Sequence, residues 1–112
     1  MGNNTRQLIF PFHTTETAIS NGKELNVSHN MVLMNIAVSG TATSFTLIVE
    51  AKDNDTDSYT PVYVANLETL ALSSNITAKG KYQLGLEGHI RVQIRLLAIS
   101  GGNLTVKGTV TN

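Results

Sequence analysis

The chain of 112 residues has no cysteine, no tryptophan and only two prolines. Without cysteine there is no disulfide framework and no thiol chemistry, and the redox compartment stays open. Charged residues make up only 14%, with eight basic and eight acidic side chains, so the formal net charge is +0. A neutral chain lacks the basic excess that nucleic acid or an anionic membrane attracts, so neither is expected as a partner. No apolar run approaches the roughly 20 residues that a membrane helix needs. The first residues are polar and no apolar run follows them, so no secretion signal is expected. Glu and Lys are sparse while Thr, Ser and Asn abound, which disfavours helix and favours strands with polar turns.

What is present is alternation. Residues 80–109 contain three alternating segments. Tyr82, Leu84 and Leu86 share one face of the first. Ile90, Val92, Ile94, Leu96 and Ala98 share one face of the second, and Leu104, Val106 and Val110 one face of the third. Period two marks strands with one buried face, and Gly88 and Ser100-Gly101-Gly102-Asn103 mark turns. The pattern predicts an antiparallel meander forming half of a sandwich core. Residues 24–27 form a short strand. Residues 31–38, apolar on both faces apart from Asn35, form a central strand covered on both sides. Residues 44–51 alternate, with Phe45, Leu47 and Val49 inward and Glu50 outward. Residues 59–66 read as one strand, and Leu67, Leu70, Ala71 and Leu72 fit either a loop or a single helical turn. The expected fold is an all-β, single-domain antiparallel β-sandwich, jelly-roll-like, of about eight strands. Residues 1–112 form one domain, with an N-terminal extended arm and connector at residues 1–23 and a sandwich body at residues 24–112. Proline cannot donate to a ladder, so Pro11 places Leu8, Ile9, Phe10 and Phe12 on an edge strand or a docking arm.

No reactive constellation emerges, and an enzyme is not expected. Asp53, Asp55 and Asp57 alternate as in a calcium loop, but Ser58 and Val64 replace the glycine and glutamate of an EF-hand, which leaves a solvated turn. His13, His29 and His89 lack metal-ligand spacing, so no metal and no cofactor is expected. Arg91 and Arg95 lie opposite the inward residues, either solvated or free to bind a partner's carboxylate. If solvated, Arg95 is dispensable for stability. Leu97 and Ile99 continue that outer face as apolar residues, which suggests partial cover by another element or subunit. The five Asn-x-Ser/Thr triplets, at Asn3, Asn26, Asn54, Asn75 and Asn103, follow from composition.

Three stretches carry a resemblance: Leu8-Ile9-Phe10-Pro11-Phe12-His13, Ser39-Gly40-Thr41-Ala42-Thr43-Ser44-Phe45-Thr46, and the ending from Gly88-His89-Ile90-Arg91-Val92 through Ile99-Ser100-Gly101-Gly102-Asn103-Leu104-Thr105-Val106-Lys107-Gly108. In these the protein resembles small all-β virion proteins of tailed bacteriophages. The resemblance implies a non-enzymatic structural or accessory virion part. Capsid decoration is the leading form and a tail or baseplate accessory the next. Its partners would be itself, as a homo-oligomer, and other virion proteins, assembled in the bacterial host cytoplasm. The alternative is a carbohydrate-binding module that stacks a host-surface glycan on Tyr59 and Tyr63.

Overall fold

The computed structural model describes residues 7–28 and 30–111, so expectations for residues 1–6 and His29 lie outside the described residues. Among the described residues the fold is all-β, with eleven strands in two antiparallel sheets. In sequence order these are β1 (Gln7–Glu16), β2 (Leu25–Asn26), β3 (Leu33–Gly40), β4 (Ser44–Lys52), β5 (Thr60–Pro61), β6 (Val64–Asn66), β7 (Leu72–Ser73), β8 (Asn75–Ile76), β9 (Gly80–Gly85), β10 (Arg91–Ser100) and β11 (Leu104–Thr111). The larger sheet runs β1-β11-β3-β9-β6-β7. The smaller runs β2-β10-β4-β5, and β8 pairs with β4 beside β5. The excess over eight strands comes from two-residue pieces too short to show periodicity.

The inward faces follow the alternation. Met34, Ile36 and Val38 from β3, Tyr82 and Leu84 from β9, and Leu104, Val106 and Val110 from β11 meet Phe45, Leu47 and Val49 from β4 and Val92, Ile94 and Leu96 from β10, all buried in one core. The meander does not form. β9 and β11 lie in the larger sheet and β10 in the smaller, so both turns are arches between sheets. Alternation marks which side chains face the core, and a strand in either sheet shows the same pattern. The central strand is also open on one side. β3 buries Met34, Ile36 and Val38 but exposes Leu33, Asn35 and Ala37. Residues 59–66 split, because the backbone leaves the smaller sheet after Pro61 and joins the larger at Val64. Residues 66–70 form one turn closed by the Leu70 N–H on the Asn66 carbonyl, 2.7 Å.

Register shifts in β10 and β1 break the parity. In β10, Leu96 pairs with Leu47 and Ala98 with Thr46, which leaves Leu97 as the extra residue. Beyond it the faces exchange: Ala98 is exposed, and Ile99 turns inward opposite Phe45 to pack on the core. A bulge inserts one residue against none on the partner strand, and period two resumes out of phase. In β1 the register slips between Pro11 and His13, so Phe12 and His13, neighbours in sequence, are both buried. The boundary drawn at residue 23 therefore does not separate an arm from a body. β1 pairs with β11 from Gln7↔Thr111 to Glu16↔Leu104, as the edge strand of its own sandwich. Phe12 is 1% exposed, and Gly108 makes room for its ring, since a Cβ there would lie 2.8 Å from Phe12 Cε2. Phe12→Ala should cost about 3–5 kcal/mol and Ile94→Ala about 2–5 kcal/mol, measured by urea unfolding. A Phe12 cost as small as that of an exposed residue would show that β1 is not part of the core.

Candidate functional site

The smaller sheet turns its polar side chains outward, and they bind one another. On β10 the residues between Val92, Ile94 and Leu96 are Arg91, Gln93 and Arg95, and on β4 the facing positions are Lys52, Glu50 and Ile48. Gln93 is directly opposite Glu50, and Arg95 is its diagonal neighbour, two residues along and within reach of a long side chain. Arg95 donates from Nε to Glu50 Oε1 at 2.6 Å and from Nη2 to Oε2 at 3.0 Å, a two-point clamp. Gln93 Nε2 adds a third bond at 3.0 Å. Glu50 is 6% exposed, although its position in the alternation is outward. Burial pushes its carboxyl up, but the bonds from Arg95 and Gln93 and the Arg95 charge outweigh burial and hold it below its ordinary value of 4.5.

The same face continues towards the β4–β5 loop. Arg91 donates from Nε to Asn26 Oδ1 at 3.1 Å and reaches Asp55 Oδ1 with Nη1 at 3.0 Å. His89 Nδ1 lies 2.8 Å from Asp53 Oδ1. Asn54 Nδ2 donates to Asp57 Oδ2 at 3.1 Å. The Tyr59 hydroxyl donates to Glu24, and Lys52 Nζ sits 4.9 Å from the Tyr59 ring centroid. Burial, and then the Glu24 bond, push the Tyr59 hydroxyl well above its usual range. The aspartates of the loop are thus tied to His89, Arg91 and Asn54. Among the described residues, no three His, Cys, Asp or Glu side chains are arranged to hold a metal ion.

The expected contact residues divide. Arg91 and Arg95 both pair within the fold, Arg95 with the buried Glu50 and Arg91 with the exposed Asp55. Leu8 and Ile9 are exposed on β1, whereas Phe10 packs edge-on against the buried Phe12, ring centroids 4.9 Å apart. Leu97 is exposed, but Ile99 belongs to the core side. Tyr59 and Tyr63 share no strand. Tyr59 is half-buried under Lys52, and Tyr63, 71% exposed, lies in the crossing between sheets. Sequence reasoning missed the β6–β7 hairpin, where Tyr63, Leu67, Leu70 and Leu72 are all exposed. Leu70 also sits at φ 65, a backbone region that disfavours a side chain with a Cβ. The signal was a run of leucines in a polar stretch, too short to show a period.

The architecture is that of a small two-sheet antiparallel sandwich whose charged face is neutralised from within. A family model described as XepA matches residues 6–110, and the chain belongs to that family. The crystal structure of the SPBc2 prophage-derived protein YomS matches with a TM-score of 0.89 and 24% identity, over 100% of this chain and 98% of that one. The crystal structure of the PBSX exported protein XepA matches with a TM-score of 0.91 and 21% identity; there this chain is covered in full but spans 40% of the other. No curated protein matches. The expected kinship with phage-encoded β proteins is met in part, since YomS is prophage-derived; capsid decoration is not addressed by these likenesses.

The Glu50 clamp sets an acid response. A carboxyl whose folded value is depressed adds stability that is complete above its unfolded value and is lost as pH falls through the folded one. Arg95→Met removes two bonds and a charge but leaves the burial, so the folded value rises. The variant should be less stable at neutral pH, and its deficit against the wild type should shrink as pH falls through the folded Glu50 value, where protonation removes what the clamp contributes, read from urea midpoints across pH. Superimposable profiles would show that Arg95 is dispensable.

Proposed function

We propose that this protein is a phage-encoded, non-enzymatic structural or accessory module that works through protein–protein contact in several copies. One observation carries the reading. The polar and charged side chains of the smaller sheet are engaged with one another, while large apolar side chains stand exposed on the β6–β7 hairpin and at Leu8 and Ile9. Exposed apolar patches of this kind suit docking, and the mutually paired polar side chains of the smaller sheet offer no free nucleophile or base. The family and the prophage-derived relative support the phage setting. Within it, the specific role proposed is a virion part, with capsid decoration first and a tail or baseplate accessory second. The relative called an exported protein favours a competing form, a module released from the cell rather than built into the particle. The glycan-binding alternative now rests on Tyr63 alone, because Lys52 covers the Tyr59 ring.

Sedimentation of particles from an induced lysate tests the virion reading. The protein should co-sediment with particles and remain with them through a density gradient, and Leu70→Asp with Leu72→Asp should reduce that association without altering the circular dichroism spectrum. Recovery of the wild type only in the particle-free supernatant would contradict the virion reading and favour the released form.

A further inference from the structure

The connector between β1 and β2 carries the sequence's one Asn-Gly pair, Asn21-Gly22. Its ends are pinned to different sheets. Ser20 exchanges both backbone bonds with Leu96 of the smaller sheet, at 3.2 and 2.8 Å, and the Lys23 N–H donates to the Phe12 carbonyl of the larger, at 3.2 Å. Between them Gly22 holds φ +71, and a Cβ there would lie 2.7 Å from both His13 Cε1 and the Phe12 carbonyl oxygen. Glycine is therefore required, by backbone conformation and by the seat against His13. A glycine leaves its own nitrogen unshielded. The Gly22 N–H donates to Ser20 Oγ at 3.0 Å, so an acceptor already stands at the proton that an attacking nitrogen must lose. Asn21 itself is exposed. By contrast the amide groups of Asn26, Asn35, Asn54 and Asn66 are held in hydrogen bonds.

We propose that Asn21 is a site of spontaneous deamidation, a covalent modification written into the strap that joins the two sheets. The Gly22 nitrogen attacks the γ-carbon of Asn21, the carbonyl carbon of its amide group. A new C–N bond closes a five-membered succinimide, the bond from that carbon to the NH2 group breaks, and the amide nitrogen leaves as ammonia with the proton from Gly22. Water then opens either carbonyl of the ring and yields aspartate or isoaspartate. Water is the only co-reactant, and nothing is oxidised or reduced. Both products place a negative charge on the connector. Isoaspartate also adds a methylene to the backbone between two pinned ends, so Gly22 loses its seat against His13. The strap loosens with the age of the protein.

Purified full-length protein, incubated in warm, mildly alkaline buffer and sampled over time, tests this by peptide mapping with fragmentation that separates aspartate from isoaspartate. The exchange of amide for acid should accumulate at Asn21 several-fold faster than at Asn54 or Asn103, mainly as isoaspartate. The modified fraction should melt below the fresh protein, whereas Asn21→Asp, which adds the charge without the methylene, should melt close to it. Conversion no faster at Asn21 than at Asn54, or conversion only in a urea-unfolded sample, would overturn the site. An isoaspartate form as stable as the unmodified protein would overturn the loosening of the strap.

Discussion

A buried imidazole of one sheet satisfies a backbone carbonyl of the other, and much of the molecule is arranged around that contact. His13 has a fully buried side chain, and its Nε2 donates to the Ile94 carbonyl at 2.5 Å. Ile94 lies where the edge of β10 is open, between β2, which pairs at Arg91 and Val92, and Ser20, which pairs at Leu96. A carbonyl left unpaired there would cost the desolvation of a buried acceptor, about 1–3 kcal/mol. The histidine takes the place of a missing strand. To reach it, β1 must bulge so that Phe12 and His13 both face inward, and Gly22 must leave room for the ring. The other ring nitrogen, Nδ1, lies 3.2 Å from Glu16 Oε1. An edge strand, a bulge, a glycine and a connector thus serve a single hydrogen bond between the sheets.

The sequence shows which residues line the core far better than how the strands connect. Val92, Ile94, Leu96, Leu104 and Val106 are inward in the pattern and in the fold, because period two follows directly from the pleat. Sheet membership is not written in that period, so β9, β10 and β11 read as neighbours although they alternate between layers. The bulges at Leu97 and Phe12 are invisible for the same reason: an inserted residue changes phase without changing composition. This put Ile99 on the wrong face and left His13 unplaced. The clamp on Glu50 was half legible. Parity placed Glu50, Gln93 and Arg95 on the outer face, but their meeting depends on strand register, which needs the pairing of β4 with β10. The β6–β7 hairpin escaped notice because two-residue strands carry no periodicity.

Internal pairing also gives the neutral composition a physical meaning. The zero net charge is not an absence of electrostatics. Glu50 with Arg95 and Asp55 with Arg91 are ion pairs within the fold, and Asp53 with His89 and Glu24 with Tyr59 are contacts between polar partners. The exposed apolar side chains lie elsewhere, at the hairpin leucines with Tyr63 and at Leu8 and Ile9 of β1.

The central claim is that His13 joins the two sheets into one cooperative unit. Native-state hydrogen exchange on His13→Leu tests it directly, since leucine fills space but cannot donate to Ile94. The account predicts that protection falls together in β1 of the larger sheet and in the Ile94 region of β10 in the smaller, with both regions opening at the same reduced free energy. Loss of protection confined to β1, with β10 as slow to exchange as in the wild type, would show that the sheets hold together without the histidine and would contradict it.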